Sequence, residues 1–288
     1  MSIYQEVSLI IVCYKSDKFI EKNLNIIKKF NTIIVDNSNS ILTHKHVKGH
    51  SNIKYIINDQ NIGYGRANNI GVKNCDTPYF MILNPDILIN ESAIQILYDK
   101  FNKYDNTGIL APSLYDNNYK RRTNGSFSQL KDKPAKLLNS NLNNMPDGDT
   151  CYDYVIGCSL FMRKDFFELI GGFDKDFFMY FEDNEICDRV YKFKKTVIEI
   201  PDSRMIHIQG LSSEYNVLQS AKLSLIHKVS EYIYYQKNFT KPKLYFIIFK
   251  NILDYMQRSI FNFILFRFKK SFKNILRLIL IFLFLTKS

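Results

Sequence analysis

The stretch "VSLIIVCY", Val7–Tyr14, decides the fold. It is apolar almost throughout, with no alternation of apolar and polar positions. That pattern belongs to a strand buried on both faces, as in a parallel sheet covered by helices on each side. The residues that follow repeat the theme. Asp17 can cap a helix with Ile20, Leu24 and Ile27 along one face. "TIIVDN" (Thr32–Asn37), "NIKYIIN" (Asn52–Asn58) and "YFMILNPD" (Tyr79–Asp86) read as further strands ending in polar residues. Gly63 to Gly65 read as a turn before a helix from about Arg66, and "SAIQILYDKF" as the helix after the fourth strand. "YVIGCSLFMR" (Tyr154–Arg163) and "TVIEIP" (Thr196–Pro201) continue the series, the latter leading into "RMIHIQGLSS". Strands alternating with helices at this rhythm predict an α/β fold with an open, mostly parallel sheet. Ligands of such sheets sit outside the carboxyl ends of the strands. Asp36 and Asp86 fall at two of those ends.

The pattern loosens between about 117 and 150, a polar, turn-rich stretch that reads as a mobile binding loop. With 288 residues, 46% hydrophobic and 23% charged, the chain can build a sizeable core and is not of disordered composition. Its five cysteines form no CxxC pair and read as free thiols of a reducing compartment. The N-terminal "MSIYQEVSLIIVCY" lacks a basic region and a cleavage site, so it predicts a first strand and cytoplasmic residence.

Net charge is +11, but residues 241–288 alone hold ten Lys/Arg against one acid, Asp254. The main body is close to neutral, which argues against nucleic-acid binding. In the tail, Asn251, Asp254, Arg258 and Asn262 form a polar stripe at helical spacing, and Lys269, Lys273 and Arg277 form a basic one. Phe, Ile and Leu fill most of the rest. An amphipathic helical segment with a basic face suits an anionic membrane surface. A buried helical hairpin or a dimer interface fits the same pattern. The longest apolar run, Leu278–Leu285, is short of the roughly 20 residues that spanning needs.

"FFMYFEDNEICDRV", Phe177–Val190, places four carboxylates behind an aromatic run. If a helix starts near Glu182, Asp183 shares its face with Ile186, Cys187 and Val190. Glu185 precedes Arg189 by four, a solvent-facing ion-pair spacing. Glu182, Glu185 and Asp188 then read as surface or first-turn charges. Asp183 points inward, and it either caps the helix or has a partner, a metal or a reaction. Asp86 in "LNPD" could hold a divalent cation, and equally could be an ordinary turn residue. "NIGYGRANN" (Asn61–Asn69) offers glycines, an Arg and a helix start that suit phosphates. Asn68 stands where the dinucleotide-binding G-x-G-x-x-G needs glycine, which argues against a Rossmann dehydrogenase. His207 follows a strand and reads on its own as a core histidine.

In order, "IIVCYKS", "VDNSNS", "NIGYGRANNIGV", "LNPD", "GCSLFMRKDFFELIGGFDKDFFMYFEDNEICDR" and "HIQGLSS" resemble the family 2 glycosyltransferases of the GT-A fold. Among these the similarity is to bacterial dTDP-rhamnosyltransferases of O-antigen and other cell-surface polysaccharides. It covers roughly Val7 to Ser213. It implies a GT-A catalytic domain over 1–215, and the spacing and charge of the tail predict a helical, basic, membrane-associating extension over 216–288.

The resemblance implies a role for each matching residue. Asp36 matches the acid at the nucleotide base. Asn61, Gly63, Arg66 and Asn69 match the segment under the donor's ribose and phosphates. Asn84-Pro85-Asp86 matches the Asp-X-Asp motif: Asn84 replaces its first acid beside the donor, and Asp86 is its metal ligand. His207 completes the site of a divalent cation, Mg2+ or Mn2+. Asp183 matches the catalytic base of an inverting transfer. The implied donor is dTDP-L-rhamnose and the implied acceptor a polyprenyl-diphosphate-linked saccharide, met at the inner face of the cell membrane. A UDP-hexose donor, for a galactosyl- or N-acetylglucosaminyltransferase, and an inactive membrane-bound scaffold of the same fold are the alternatives.

Overall fold

The computed structural model describes residues 2–39, 42–122, 124–126, 146–208 and 217–285. A single turn, α1 (Ile3–Glu6), leads into β1 (Val7–Cys13), every residue of which is buried. In α2 (Asp17–Ile27) the N-cap position is Ser16, and Asp17 sits in the first turn, where its charge suits the helix dipole. Next come β2 (Asn31–Asp36), α3 (Leu42–Val47), β3 (Ile53–Ile57) and α4 (Tyr64–Lys73). Helix α4 starts two residues before the expected Arg66, so Gly65 is helical.

Strands β4 (Tyr79–Leu83) and β5 (Ile87–Leu88) precede α5 (Glu91–Lys103), whose N-cap Asn90 accepts from Ser92 N. Strand β6 (Thr107–Tyr115) follows, then the short β7 (Arg121–Arg122), β8 (Gly125–Ser126), β9 (Thr150–Cys151) and β10 (Tyr154–Val155). Most of the expected binding loop, residues 127–145, lies outside the described residues. The expected strand over 154–163 is broken: after β10 the chain turns at Gly157 and resumes as β11 (Ser159–Arg163). Helices α6 (Lys164–Leu169) and α7 (Glu182–Lys192) precede β12 (Thr196–His207). That last strand runs past Pro201, where it was expected to end. Its register against β6 slips between Ile200 and Arg204, an irregularity that accommodates a residue with no N–H to donate.

The main sheet has the order β3-β2-β1-β4-β11-β6-β12-β5. Strands β3, β2, β1 and β4 pair in parallel, as do β6 and β12, while β11 runs antiparallel between the two groups. The sheet is therefore mixed, mostly parallel, and flanked by helices. Leu9 and Ile11 of β1 enter one apolar cluster with Ile20 and Ile27 of α2; Ile10 and Val12 enter another with Ala67 and Val72 of α4. That two-sided burial is why the strand reads as a continuous apolar run.

The chain divides into two compact units. One comprises Met1–Lys175 and Glu182–Ser212 and contains the sheet. The other comprises Asp176–Phe181 and Ser213–Ser288 and contains α8 (Val217–Asn238), α9 (Lys241–Ile264) and α10 (Phe268–Leu285). In this second unit Ser230 Oγ donates to Met179 O at 2.8 Å, and the Phe181 ring lies 5.2 Å from His227 and 5.4 Å from Tyr234. Phe181, from the aromatic run before α7, is thus packed on α8. None of the described helices is long and apolar enough to cross a membrane.

Candidate active site

Strand β4 stops at Leu83, so Asn84, Pro85 and Asp86 lie beyond it. Asn84 N donates to Cys158 O at 2.8 Å, which fixes the strand end to the turn before β11. The chain then re-enters the sheet as β5, with Ile87 opposite His207 and Ile208 N donating to Asp86 O at 2.8 Å. That pairing brings His207 Nε2 to 3.2 Å from Asp86 Oδ2. Asp86 Oδ1 and Asn84 Oδ1 are buried and lack a hydrogen-bond partner among the described residues. Buried polar atoms seldom stay unpaired. An unpaired Asp86 oxygen beside the His207 imidazole, with Asn84 two residues before it, fits a divalent cation, which commonly takes one or two protein ligands and completes its shell with water and substrate phosphates. No group of three His, Cys, Asp or Glu side chains able to hold an ion occurs among the described residues.

Asp183 sits in the first turn of α7, which begins at Glu182 as the spacing predicts. Its Oδ1 accepts from Asn184 N at 2.9 Å and its Oδ2 from Gly157 N at 3.1 Å. The Gly157 carbonyl in turn accepts from the Tyr64 hydroxyl of α4 at 2.7 Å. A Cβ on Gly157 would lie 3.1 Å from Asp183 Cβ, so only glycine lets the turn approach this closely without a shift. The Gly157-Cys158 turn thereby joins the end of β4 to the start of α7. Burial pushes the Cys158 thiol up, and the charges of Asp86 and Asp183 add to the effect, which places both carboxylates around it.

The neighbouring acids depart from expectation. Glu182 and Glu185 are not surface charges: they are 5% and 9% exposed. Glu185 does pair with Arg189, at 2.6 and 2.7 Å, but the pair is largely buried and Arg189 also donates to Ile170 O. Glu182 lies against the start of α4, where a Cβ on Gly65 would come within 3.7 Å of its own Cβ. Its Oε2 lacks a hydrogen-bond partner among the described residues. Burial first, and then the charge of Asp183, push its pKa up to about 8. At neutral pH Glu182 is therefore mostly protonated and Asp183 has one fewer negative neighbour.

The expected donor segment gathers at the end of β2. Asn37, which sequence reading missed, donates from its backbone to Cys13 O at 2.8 Å and from its side chain to Gly63 O at 3.1 Å. Asn58 Nδ2 completes the link by donating to Asn37 Oδ1 at 2.8 Å. Asn61 Oδ1 accepts from Gly63 N at 2.9 Å, and Gly63 takes φ +93° at the start of α4. Asp36 is fully buried; its carboxylate accepts from Ser38 N at 2.7 Å and from the Ser38 and Tyr55 hydroxyls. Arg66 is exposed, with Nε donating to Lys175 O at 2.7 Å. Asn69 uses both ends of its amide on the backbone of Phe173, each at 2.8 Å, and so braces α4 against the chain after Gly172. The only sequence signal for Asn37 is its place directly after a strand-end acid.

Comparison with known proteins gives this geometry its context. A model described as glycosyl transferase family 2 matches residues 8–169, more than half of the chain. The low-salt glycan biosynthesis hexosyltransferase Agl10 of Haloferax volcanii is 29% identical over 217 residues, covering 71% of this chain and 67% of its own. The rhamnosyltransferase WbbL of Escherichia coli is 28% identical over 224 residues, 70% of this chain and 83% of its own. Among solved structures, the mannosyltransferase PcManGT of Pyrobaculum calidifontis, in complex with GDP-Man and Mn2+, superposes with a TM-score of 0.56 at 14% identity. That match covers 83% of this chain and 66% of the other, and it shows a shared GT-A fold. The chain, with its mixed GT-A sheet and the Gly157-Cys158 turn that joins the end of β4 to the start of α7, belongs to glycosyl transferase family 2.

Proposed function

We propose that the protein is an inverting rhamnosyltransferase that moves L-rhamnose from dTDP-L-rhamnose to a saccharide carried on a polyprenyl diphosphate, in bacterial surface polysaccharide synthesis. The observation that carries the reading is the Gly157-Cys158 turn, which ties Asp183 to the strand end bearing Asn84 and Asp86. Asp183 accepts the proton of an acceptor hydroxyl. The acceptor oxygen bonds to the anomeric carbon from the face opposite the leaving group. The bond from that carbon to phosphate breaks, and its electron pair leaves with the nucleoside diphosphate. A divalent cation, Mg2+ or Mn2+, bound by Asp86 and His207 would neutralise the charge that the leaving diphosphate gains. One carboxylate suffices, because a diphosphate leaves without a proton from a second acid. Asn37, Asn61, Gly63 and Arg66, gathered near the end of β2 and the start of α4, receive the nucleotide half of the donor together with Asp36.

The rhamnosyl assignment is supported by the similarity to WbbL, and the cation by the orphaned oxygens and by the Mn2+ in the PcManGT complex. A lipid-linked acceptor places the enzyme at the inner face of the cell membrane, in the cytoplasm. Incubating the protein with a lipid-linked saccharide and a panel of dTDP-rhamnose, UDP-galactose and UDP-N-acetylglucosamine tests the donor. Transfer from dTDP-rhamnose alone is expected. Transfer only from a UDP-hexose overturns the donor, and transfer from none favours an inactive scaffold.

A further inference from the structure

Helices α9 and α10 form an antiparallel hairpin joined at Leu265–Arg267. Ser259 and Ser271 meet close to the turn, with their hydroxyls 3.0 Å apart, and Ile252, Leu278 and Ile281 share a cluster farther from it. The seam is small and partly polar: Ser259, Ser271 and Asn274 are all buried. The large apolar residues are elsewhere. On α9, Phe246, Phe249, Leu253, Met256 and Ile260 are exposed at spacings of three and four, 45–68% each. On α10, Phe268, Phe272, Ile275, Ile279 and Phe282 do the same, 42–59% each. These are second apolar stripes, not used to build the hairpin.

At about 100° per residue, each stripe is rotated from its seam by roughly the same angle and in the same sense. In an antiparallel pair that common sense puts both stripes on one broad side. Helix α8 backs the opposite side: Arg277 Nη2 donates to Ser224 Oγ at 2.8 Å, and Asn251 Nδ2 to the Tyr232 hydroxyl at 3.1 Å. This corrects the expected basic stripe, because Arg277 is turned inward over Tyr255, 5.4 Å from its ring. It corrects the polar stripe too, since Asn251 bonds to α8. At the hairpin turn, Arg267, Lys269 and Lys270 are all exposed. The only acid of 241–288, Asp254, pairs with Arg258 at 2.8 Å.

We infer that the apolar broad side of the α9–α10 hairpin lies flat on an anionic lipid bilayer, with Phe249, Ile260 and Phe272 among the side chains that enter it and the cations of the hairpin turn at headgroup level. An apolar surface this continuous is unusual on a free soluble protein. The unopposed positive charge matches acidic lipid headgroups rather than a second, equally basic copy of the hairpin. Cations at the turn oppose tip-first insertion, which would carry them into hydrocarbon. The inference deepens the proposed use of a lipid-linked acceptor by naming the surface that meets the membrane.

The chain contains no Trp, so Phe272→Trp introduces a single reporter. With the full chain and vesicles of phosphatidylglycerol and phosphatidylcholine, free of donor and acceptor, its emission is expected to shift to the blue. Vesicles of phosphatidylcholine alone, or high salt, should weaken the response. Phe249→Ser/Phe272→Ser should bind acidic vesicles about tenfold more weakly or worse, while keeping its thermal midpoint and its transfer to a detergent-soluble acceptor. Unchanged vesicle binding by this double variant overturns the inference. So does a concentration-dependent dimer, without vesicles, that the same variant dissociates. Failure of the donor panel in detergent would strike the sugar-transfer reading alone.

Discussion

Replacing Glu182 by Gln tests the electrostatics around Asp183. Burial and the Asp183 charge move the Glu182 carboxyl from an ordinary 4.5 up to about 8. At about 1.4 kcal/mol per pH unit, ionising it inside the fold costs at most roughly 4–5 kcal/mol. If half of that reaches the stability curve, the midpoint moves by about 4–8 °C for a unit of this size. The sign follows from proton counting. Between pH 4.5 and about 8 the folded chain keeps a proton that the unfolded chain has released, so stability falls as pH rises. Below that window Glu182 contributes nothing; above it the full penalty is present. Gln bears no such proton. Thermal unfolding of both proteins from pH 5 to pH 9 should therefore give midpoints whose difference is small at the acid end. The difference should widen in favour of Glu182→Gln as pH rises. The variant should also retain transfer at neutral pH, where Glu182 is already mostly neutral. A midpoint difference that does not change with pH would refute the reasoning.

Two further substitutions probe the site's geometry. Gly157→Ala adds a Cβ 3.1 Å from that of Asp183 and should push the proposed base away from its position. A drop in kcat of about tenfold to a hundredfold is expected with nucleotide binding intact, read from steady-state kinetics beside a dTDP titration. Asp86→Ala removes the proposed cation ligand beside His207, so the gain in dTDP affinity that Mn2+ gives the parent, measured calorimetrically, should vanish; an equal gain in the variant would rule Asp86 out as a ligand.

The central strands were legible because burial on both faces leaves a pattern that nothing polar interrupts, as in Val7–Cys13. The start of α7 was legible too, and Asp183 is part-buried there against Gly157. What periodicity could not rank was burial within the first turn. Glu182 is the more deeply buried acid because α4 lies against it, a contact between segments more than a hundred residues apart. Asn37 and the Gly157-Cys158 turn escaped notice for the same reason: their partners, Gly63 and Asp183, are fixed by tertiary placement. Pro201 was read as a strand end, but the sheet absorbed it with a register slip. In the tail, spacing found amphipathic helices but could not say which of two faces packs. Small serines and Asn274 took the seam and left the phenylalanines outside.

The central claim is that Asp183 is the base of a sugar transfer. Its most direct test is Asp183→Asn, nearly equal in shape to the parent, assayed for both nucleotide-sugar binding and transfer to the lipid-linked saccharide. The account predicts binding within about twofold of the parent and transfer reduced by at least about a hundredfold. An Asp183→Asn protein that still transfers at a comparable rate would contradict it.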